Sequence, residues 1–123
     1  MNQNILKKWV AALRSKKYKK CVGALHVMET ENTSCSYCVL GVLTDLYQKN
    51  QKKEKKALLK TAIKGRYMAY GGKTDLPPYC VARWAGIDDN EADTMVAMND
   101  SGKSFAYMAK YIEKNPLNLN NFY

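Results

Sequence analysis

The sequence predicts an α+β fold: about five helices packed on a small antiparallel sheet of two to four short strands. Two patterns support this. Apolar residues recur at helical spacing in several segments. Between them lie short β-branched or aromatic segments bounded by polar or glycine-rich turns. A chain of 123 residues is long enough to bury its own core and is typical of one domain. We therefore expect residues 1–123 to form a single domain.

The first helix is predicted over residues 4–14. Its apolar residues fall on one stripe, while its cations lie elsewhere on the surface; the stripe consists of Ile5, Leu6, Trp9, Val10 and Leu13. A basic loop follows over residues 15–20. Residues 22–28 and 34–37 then predict the two strands of a hairpin, joined by a polar turn over residues 29–33.

The central helix, predicted over residues 36–47, contains the longest apolar run of the chain. Its apolar side chains point in several directions, so we expect it to be buried on more than one face. The lysine-rich residues 48–56 predict an exposed helical end or a loop. Residues 57–63 predict a short helix, and residues 65–70 predict a strand ended by the turn at Gly71 and Gly72.

Three further helices are predicted in the C-terminal half. The first contains two prolines in its opening turn and ends at Gly86, a residue suited to a helix C-cap. The acidic residues 88–91 are typical of a second helix start. Ser104 is expected to cap the last helix, and Pro116 to end it.

The net charge of +9 is unevenly distributed. Residues 1–66 carry 15 basic and 4 acidic side chains, whereas residues 67–123 carry 5 basic and 7 acidic ones. This asymmetry predicts an anionic partner for the N-terminal half or a polar association with another chain. The alternative is that the lysines only keep the surface solvated.

Two basic segments interleave cations with tyrosines. Cations bind phosphates, and aromatic faces stack on bases, so this pattern predicts a nucleotide-type ligand or nucleic acid. The candidate ligand contacts are Arg14, Lys17, Tyr18, Arg66 and Tyr70. The alternative is a set of solvated lysines and half-buried core tyrosines.

The sequence contains no motif of an enzyme. It has no glycine-rich phosphate loop, no His-Glu-x-x-His segment and no calcium loop. His26 is the single histidine, and no triad partner lies near it in sequence. We therefore predict a protein without catalytic residues and without a cofactor.

Cys21, His26, Cys35 and Cys38 are residue types that bind structural zinc. Their spacing fits zinc poorly and favours packed thiols, since free cysteine is often buried. A redox pair formed by Cys35 and Cys38 is a further alternative, because a helix N-terminus lowers a thiol pKa. No apolar run approaches the ~18 residues of a membrane span, and the first residues lack a signal-peptide core, so we expect a cytosolic protein with reduced thiols and no membrane partner.

Several short motifs follow one another along the chain: WVAALRSKKY at 9–18, YCVLGVLTD at 37–45, then LP, WAG, ND, SF and IE. In this order they resemble a family of short accessory proteins encoded by tailed bacteriophages and prophages. Lys16 stands where such sequences often have Gly. Val39 stands where a second cysteine often follows Cys38, which weakens a metal site built on paired thiols.

The resemblance implies a phage protein that acts in the cytoplasm of the bacterial host. Small phage proteins without catalytic motifs often counter host defence. The resulting hypothesis is a non-enzymatic protein that binds an anionic nucleotide-derived immune signal, in a pocket built by a homo-oligomer. The alternatives are a basic nucleic-acid-binding protein and a direct inhibitor of a host defence protein.

Overall fold

The computed structural model describes residues 3–28 and 35–114. Within these residues it contains five helices and five short strands, so the predicted α+β class is confirmed. The elements in chain order are α1 (Gln3–Arg14), β1 (Lys19–Lys20), β2 (His26–Met28), β3 (Cys35–Tyr37), α2 (Val39–Lys53), β4 (Thr61–Lys64), β5 (Tyr67–Tyr70), α3 (Tyr79–Ala85), α4 (Asp89–Asp100) and α5 (Phe105–Lys114).

The strands form one mixed sheet in the order β1-β3-β2-β5-β4. The β2–β3, β2–β5 and β4–β5 pairs are antiparallel, whereas β1 runs parallel to β3 and pairs Lys19 with Ser36. The sheet therefore has one strand more than predicted and is not purely antiparallel. The reason is local: the end of the predicted basic loop joins the sheet edge as a two-residue strand.

Other boundaries also differ from the prediction. The strand predicted over 22–28 is confined to β2, because the chain bends before it at Gly23 with φ of 81°. The helix predicted over 57–63 is wrong, since its second half forms β4 and pairs with β5 across a tight turn at Gly65. The helix predicted from residue 36 starts later, as α2, because residues 35–37 belong to β3. The predicted turn over 29–33 and the helix end at Pro116 lie outside the described residues.

The core lies between the sheet and the helices, with α2 at its centre. The apolar stripe of α1 is buried, and α1 packs on both α2 and α5. Trp9 is fully buried, and its indole N–H donates to the Val39 carbonyl at 3.1 Å. As predicted, α2 is buried on several faces, with Leu40, Val42 and Leu43 fully inaccessible.

The close approach of α2 to the chain just before β2 depends on Gly41. A Cβ atom at this position would lie 1.8 Å from the Leu25 carbonyl oxygen, so a larger residue does not fit. The same carbonyl accepts a hydrogen bond from the Cys38 N–H at 3.1 Å. These contacts fix the start of α2 against the sheet.

Asn99, near the end of α4, holds this junction from the other side and is fully buried. Its Oδ1 accepts from the Val39 N–H at 3.0 Å, and its Nδ2 donates to the Cys21 carbonyl at 2.8 Å. Three predicted helix ends are present: Asp88, with Glu91, caps α4, Ser104 Oγ accepts from the Tyr107 N–H at the start of α5, and Gly86 ends α3 in a left-handed conformation. The two prolines predicted in the opening turn of α3 instead precede it, with Pro78 as the N-cap. In the part of the chain described, no helix has both the length and the apolar character required to cross a membrane.

Candidate ligand-binding site

An open cleft of about 700 Å³ lies beside the loop that joins α1 to β1. Its size is within the range of small-molecule sites. Four cations, one tyrosine and the first turn of α5 form its walls; the lining residues are Leu13, Arg14, Lys16, Lys17, Tyr18, Lys19, Cys35, Phe105 and Ala106. We call this space the basic cleft.

The loop that carries these cations is held by local hydrogen bonds. The Ser15 hydroxyl donates to the Ala12 carbonyl at 2.7 Å and accepts from the Lys17 N–H at 3.2 Å. Lys16 adopts φ of 63°, a left-handed conformation that glycine adopts without strain. The loop therefore turns sharply at the end of α1 and brings residues 16–19 to the sheet edge.

The charge of the basic cleft is only partly neutralised. Arg14 donates to the Glu113 carboxylate of α5 in an exposed ion pair. For Lys16, Lys17 and Lys19, no acidic partner is found among residues 3–28 and 35–114. The first turn of α5 adds the positive end of a helix dipole. The cleft is thus a positively charged space suited to an anion.

Tyr18 connects the cleft to α2. Its hydroxyl donates to the Asp45 carboxylate and accepts from Lys49 Nζ at 3.1 Å, while Lys49 pairs with Asp45 at 3.0 Å. Burial, followed by the bond to Asp45, raises the pKa of Tyr18, so the phenol stays protonated. The bond to Tyr18, and then that to Asp45, raises the pKa of Lys49. Tyr18 thus lines the cleft with its hydroxyl bonded to α2, and Lys49 Nζ lies over its ring, 5.3 Å from the centroid.

A row of rings extends inward from Tyr18. Tyr37 meets Tyr18 edge-on, with ring centroids 5.0 Å apart, and His26 stacks on Tyr37 at 4.2 Å. The Tyr70 hydroxyl lies 2.8 Å from His26 Nδ1. We call Tyr18, Tyr37, His26 and Tyr70 the aromatic row. It links the wall of the basic cleft to β5, in the interior of the sheet.

His26 lies in the middle of this row and is only 6% exposed. Burial lowers its pKa, more strongly than the nearby Asp45 raises it, so the imidazole is neutral. Burial also raises the pKa values of Tyr37 and Tyr70. His26 Nε2 has no hydrogen-bond partner among the described residues. The aromatic row is therefore an uncharged structure that tolerates an added proton poorly.

Comparison with known families places the chain in one of them. It belongs to the family described as a domain of unknown function (DUF8296), which matches residues 1–116. No curated protein and no solved structure matches the chain. The description of DUF8296 names no activity, so a function for this chain has to be inferred from its geometry.

The structure of this DUF8296 chain brings together three of the five predicted ligand contacts. Arg14, Lys17 and Tyr18 all line the basic cleft. Arg66 instead lies in the turn between β4 and β5, at the opposite edge of the sheet. Tyr70 is 5% exposed, and its hydroxyl faces His26. Tyr70 therefore supports the site only through the aromatic row.

Other residues of the site were not predicted. Lys16 and Lys19 lie in the same basic loop as Lys17, and the charge of that loop was the available signal. Asp45 and Lys49 gave no such signal, because their position beside Tyr18 depends on how α2 packs.

The cysteines do not gather around His26. The Cys21 thiol contacts the Ala24 carbonyl at 3.4 Å, whereas Cys38 Sγ accepts from the Gly41 N–H at 3.3 Å and caps α2. Within the described ranges, no group of three or more His, Cys, Asp or Glu residues is placed to hold a metal ion. Burial raises the pKa of Cys38 to about 12, which is the opposite of what a redox thiol needs.

Proposed function

We propose that this protein binds an anionic, nucleotide-type ligand in the basic cleft. The observation that carries the proposal is the meeting of four cations, Tyr18 and the first turn of α5 around one open cleft of about 700 Å³. Lysine and arginine form charge-assisted hydrogen bonds with phosphate, a helix N-terminus attracts anions, and a tyrosine ring stacks on a base. These three contributions suit a ligand that has both phosphates and a base.

The proposal extends to biological context. The ligand is a nucleotide-derived signal of host antiviral defence, and the protein is a phage accessory protein that sequesters it in the bacterial cytoplasm without changing it chemically. A second copy that covers the open side of the cleft would enclose the ligand, so we expect a homo-oligomer. Support for this context comes from the sequence resemblance and from the charge of the cleft.

A second candidate function is nucleic-acid binding. It is favoured by one observation: basic residues lie at both edges of the sheet, with Lys17 and Lys19 at one and Lys64 and Arg66 at the other. Nucleic-acid binding would weaken steeply with added salt, because each neutralised phosphate releases counterions. A small ligand in the cleft loses affinity much less steeply.

Calorimetry tests the first proposal directly. The purified protein is titrated with cyclic dinucleotides and with cyclic ADP-ribose-type molecules at two salt concentrations. Lys17→Glu should weaken binding about tenfold or more, because a charge-assisted hydrogen bond to phosphate is lost and replaced by repulsion. Lys8→Glu is the matched control, since Lys8 is exposed on α1 and does not line the cleft.

Native mass spectrometry of the same samples gives the subunit count and the mass of the bound ligand. An unchanged ligand mass after long incubation agrees with binding without catalysis. The absence of uptake of every nucleotide tested, or equal affinities for Lys17→Glu and Lys8→Glu, contradicts the proposal.

A further inference from the structure

The hairpin formed by β4 and β5 contains an outer strand, β4, that the other described residues hardly cover. All four residues of β4 are exposed, and β4 is the outermost strand of the sheet. Ile63 is 65% exposed, and Leu58, just before the strand, is 53% exposed. Exposed apolar side chains at an open strand edge are an unusual combination, because such edges promote pairing with other chains.

The hydrogen-bond pattern shows which backbone groups of this edge are open. The Gly71 N–H donates to the Lys60 carbonyl at 2.8 Å, so the backbone N–H and C=O groups of Lys60 point toward β5. Backbone hydrogen-bonding groups point to alternate sides along a strand. The backbone groups of Ala62 and Lys64 therefore also point toward β5, whereas those of Thr61 and Ile63 point outward. In the described part of the chain, nothing bonds to these outward groups.

Leu59, the next outward residue, shows what the edge can bind. Its N–H donates to Gln48 Oε1 at 2.9 Å, and its carbonyl accepts from Gln48 Nε2 at 3.2 Å. The Gln48 amide thus occupies the place of a paired strand residue. It satisfies one end of the edge and leaves Thr61 and Ile63 as an open continuation.

The charge around the edge identifies the kind of partner that fits. Residues 52–66 contain seven basic side chains and one acidic one, Glu54. A second copy of this chain fits poorly, because the register that pairs Thr61 with Ile63 of the other copy also sets Lys60 opposite Lys64, and like charges facing each other are destabilising. An acidic segment has the opposite charge along the whole edge.

We propose that β4 is a docking edge for an extended acidic segment of another protein, which pairs with Thr61 and Ile63 and extends the sheet. Lys60 and Lys64 lie on one face of the strand, and Ile63 lies on the other. The segment therefore alternates acidic residues, which face the lysines, with apolar residues, which face Ile63. This surface is at the opposite edge of the sheet from the basic cleft, so it adds a protein partner that the proposed ligand does not require.

The test uses a seven-residue peptide of alternating glutamate and valine, added to the full chain labelled with ¹⁵N. The amide signals of residues 59–64 should shift on titration, and a lysine–valine peptide of equal length should leave them unchanged. Thr61→Pro removes an outward N–H at a site where an edge strand tolerates proline, and it should weaken peptide binding about tenfold. Thr61→Ala keeps the N–H and serves as its control.

A charge-swapped variant keeps the test decisive if Thr61→Pro disturbs the hairpin. The variant with both Lys60→Glu and Lys64→Glu should no longer bind the glutamate–valine peptide and should instead bind the lysine–valine peptide. The proposal is overturned by an absence of shifts at residues 59–64, or by equal binding to the wild type and the charge-swapped variant. It is also overturned if single-stranded DNA shifts these amides and the glutamate–valine peptide does not, or if β4 pairs with itself in a dimer.

Discussion

The β1 edge and the β4 edge of the sheet are both rich in lysine, but among the described residues packed helices line the β1 edge, whereas α2 reaches the β4 edge only through Gln48. At β1, the loop carrying Lys17 lies beside α1 and α5, and Tyr18 is bonded to α2 through Asp45. At β4, every residue is exposed. The same composition thus forms a walled cleft at one edge and an open strand at the other. What separates a pocket for a small anion from a surface for an extended partner is the packing behind the cations.

The largest expected effect comes from a comparison of two glycines, Gly41 at the packed start of α2 and Gly65 in the open β4–β5 turn. Gly41→Ala should destabilise the protein by about 3 kcal/mol or more, because its Cβ meets the Leu25 carbonyl oxygen, a backbone atom that cannot rotate away. Gly65→Ala, in the β4–β5 turn, has open space around its Cβ and should cost only about 1 kcal/mol for its left-handed φ of 64°. Urea unfolding followed by tryptophan fluorescence measures both. Equal losses would contradict the contrast between the packed start of α2 and the open β4–β5 turn.

A smaller effect is expected from Asn99→Ala. This change leaves the Val39 N–H and the Cys21 carbonyl without their partner, at a cost of about 2 kcal/mol. Thr61→Ala on the open edge should stay within about 0.5 kcal/mol of the wild type, since its side chain is exposed. Thermal unfolding of the two variants side by side provides the measurement. If Asn99→Ala melts with the wild type, the junction between α2 and α4 is not held by this side chain.

The smallest effect concerns pH and the aromatic row. Burial holds the pKa of His26 below its unfolded value of about 6.5, so the unfolded state binds more protons than the folded state as the pH falls. The free energy of unfolding should therefore decrease from pH 7.5 to pH 5.5, by no more than about 1.4 kcal/mol in total, because a group with an unfolded pKa of about 6.5 takes up its proton only in the lower half of this range. His26→Gln should flatten this dependence, whereas Tyr67→Phe in the hairpin should retain it. Denaturant midpoints across the pH series decide between these outcomes, and parallel slopes in all three proteins would remove His26 from the explanation.

The parts of the fold that follow from neighbouring residues could be predicted from the sequence. The stripe of α1 and the capping box of Asp88 and Glu91 are examples, because spacing or a short motif determines each of them. Strand β4 could not be predicted in this way. The segment predicted as a helix, residues 57–63, begins with the good helix formers Ala57, Leu58 and Leu59. Its second half becomes a strand because it pairs with β5.

In the candidate site, too, the residues close in sequence could be predicted, whereas those brought together by packing could not. Arg14, Lys17 and Tyr18 are close in sequence and were predicted together, since one loop carries them all. Arg66 was grouped with them on charge alone, although charge does not specify the edge of the sheet at which a residue lies. Asp45 lies 27 positions from Tyr18 in sequence, and only the packing of α2 brings the two into contact.

The packing of α1 on α5 also affects how the chain is made. Arg14 pairs with Glu113 of α5, which lies 99 positions later in the sequence. The buried stripe of α1 around Trp9 is also partly covered by α5. During translation, this stripe leaves the ribosome before α5 has been made, and it is fully covered only after the 99 positions that separate Arg14 from Glu113 have been added. Exposed apolar surface on a nascent chain is prone to aggregation and to chaperone capture, so slow synthesis lengthens the period in which the newborn protein is vulnerable.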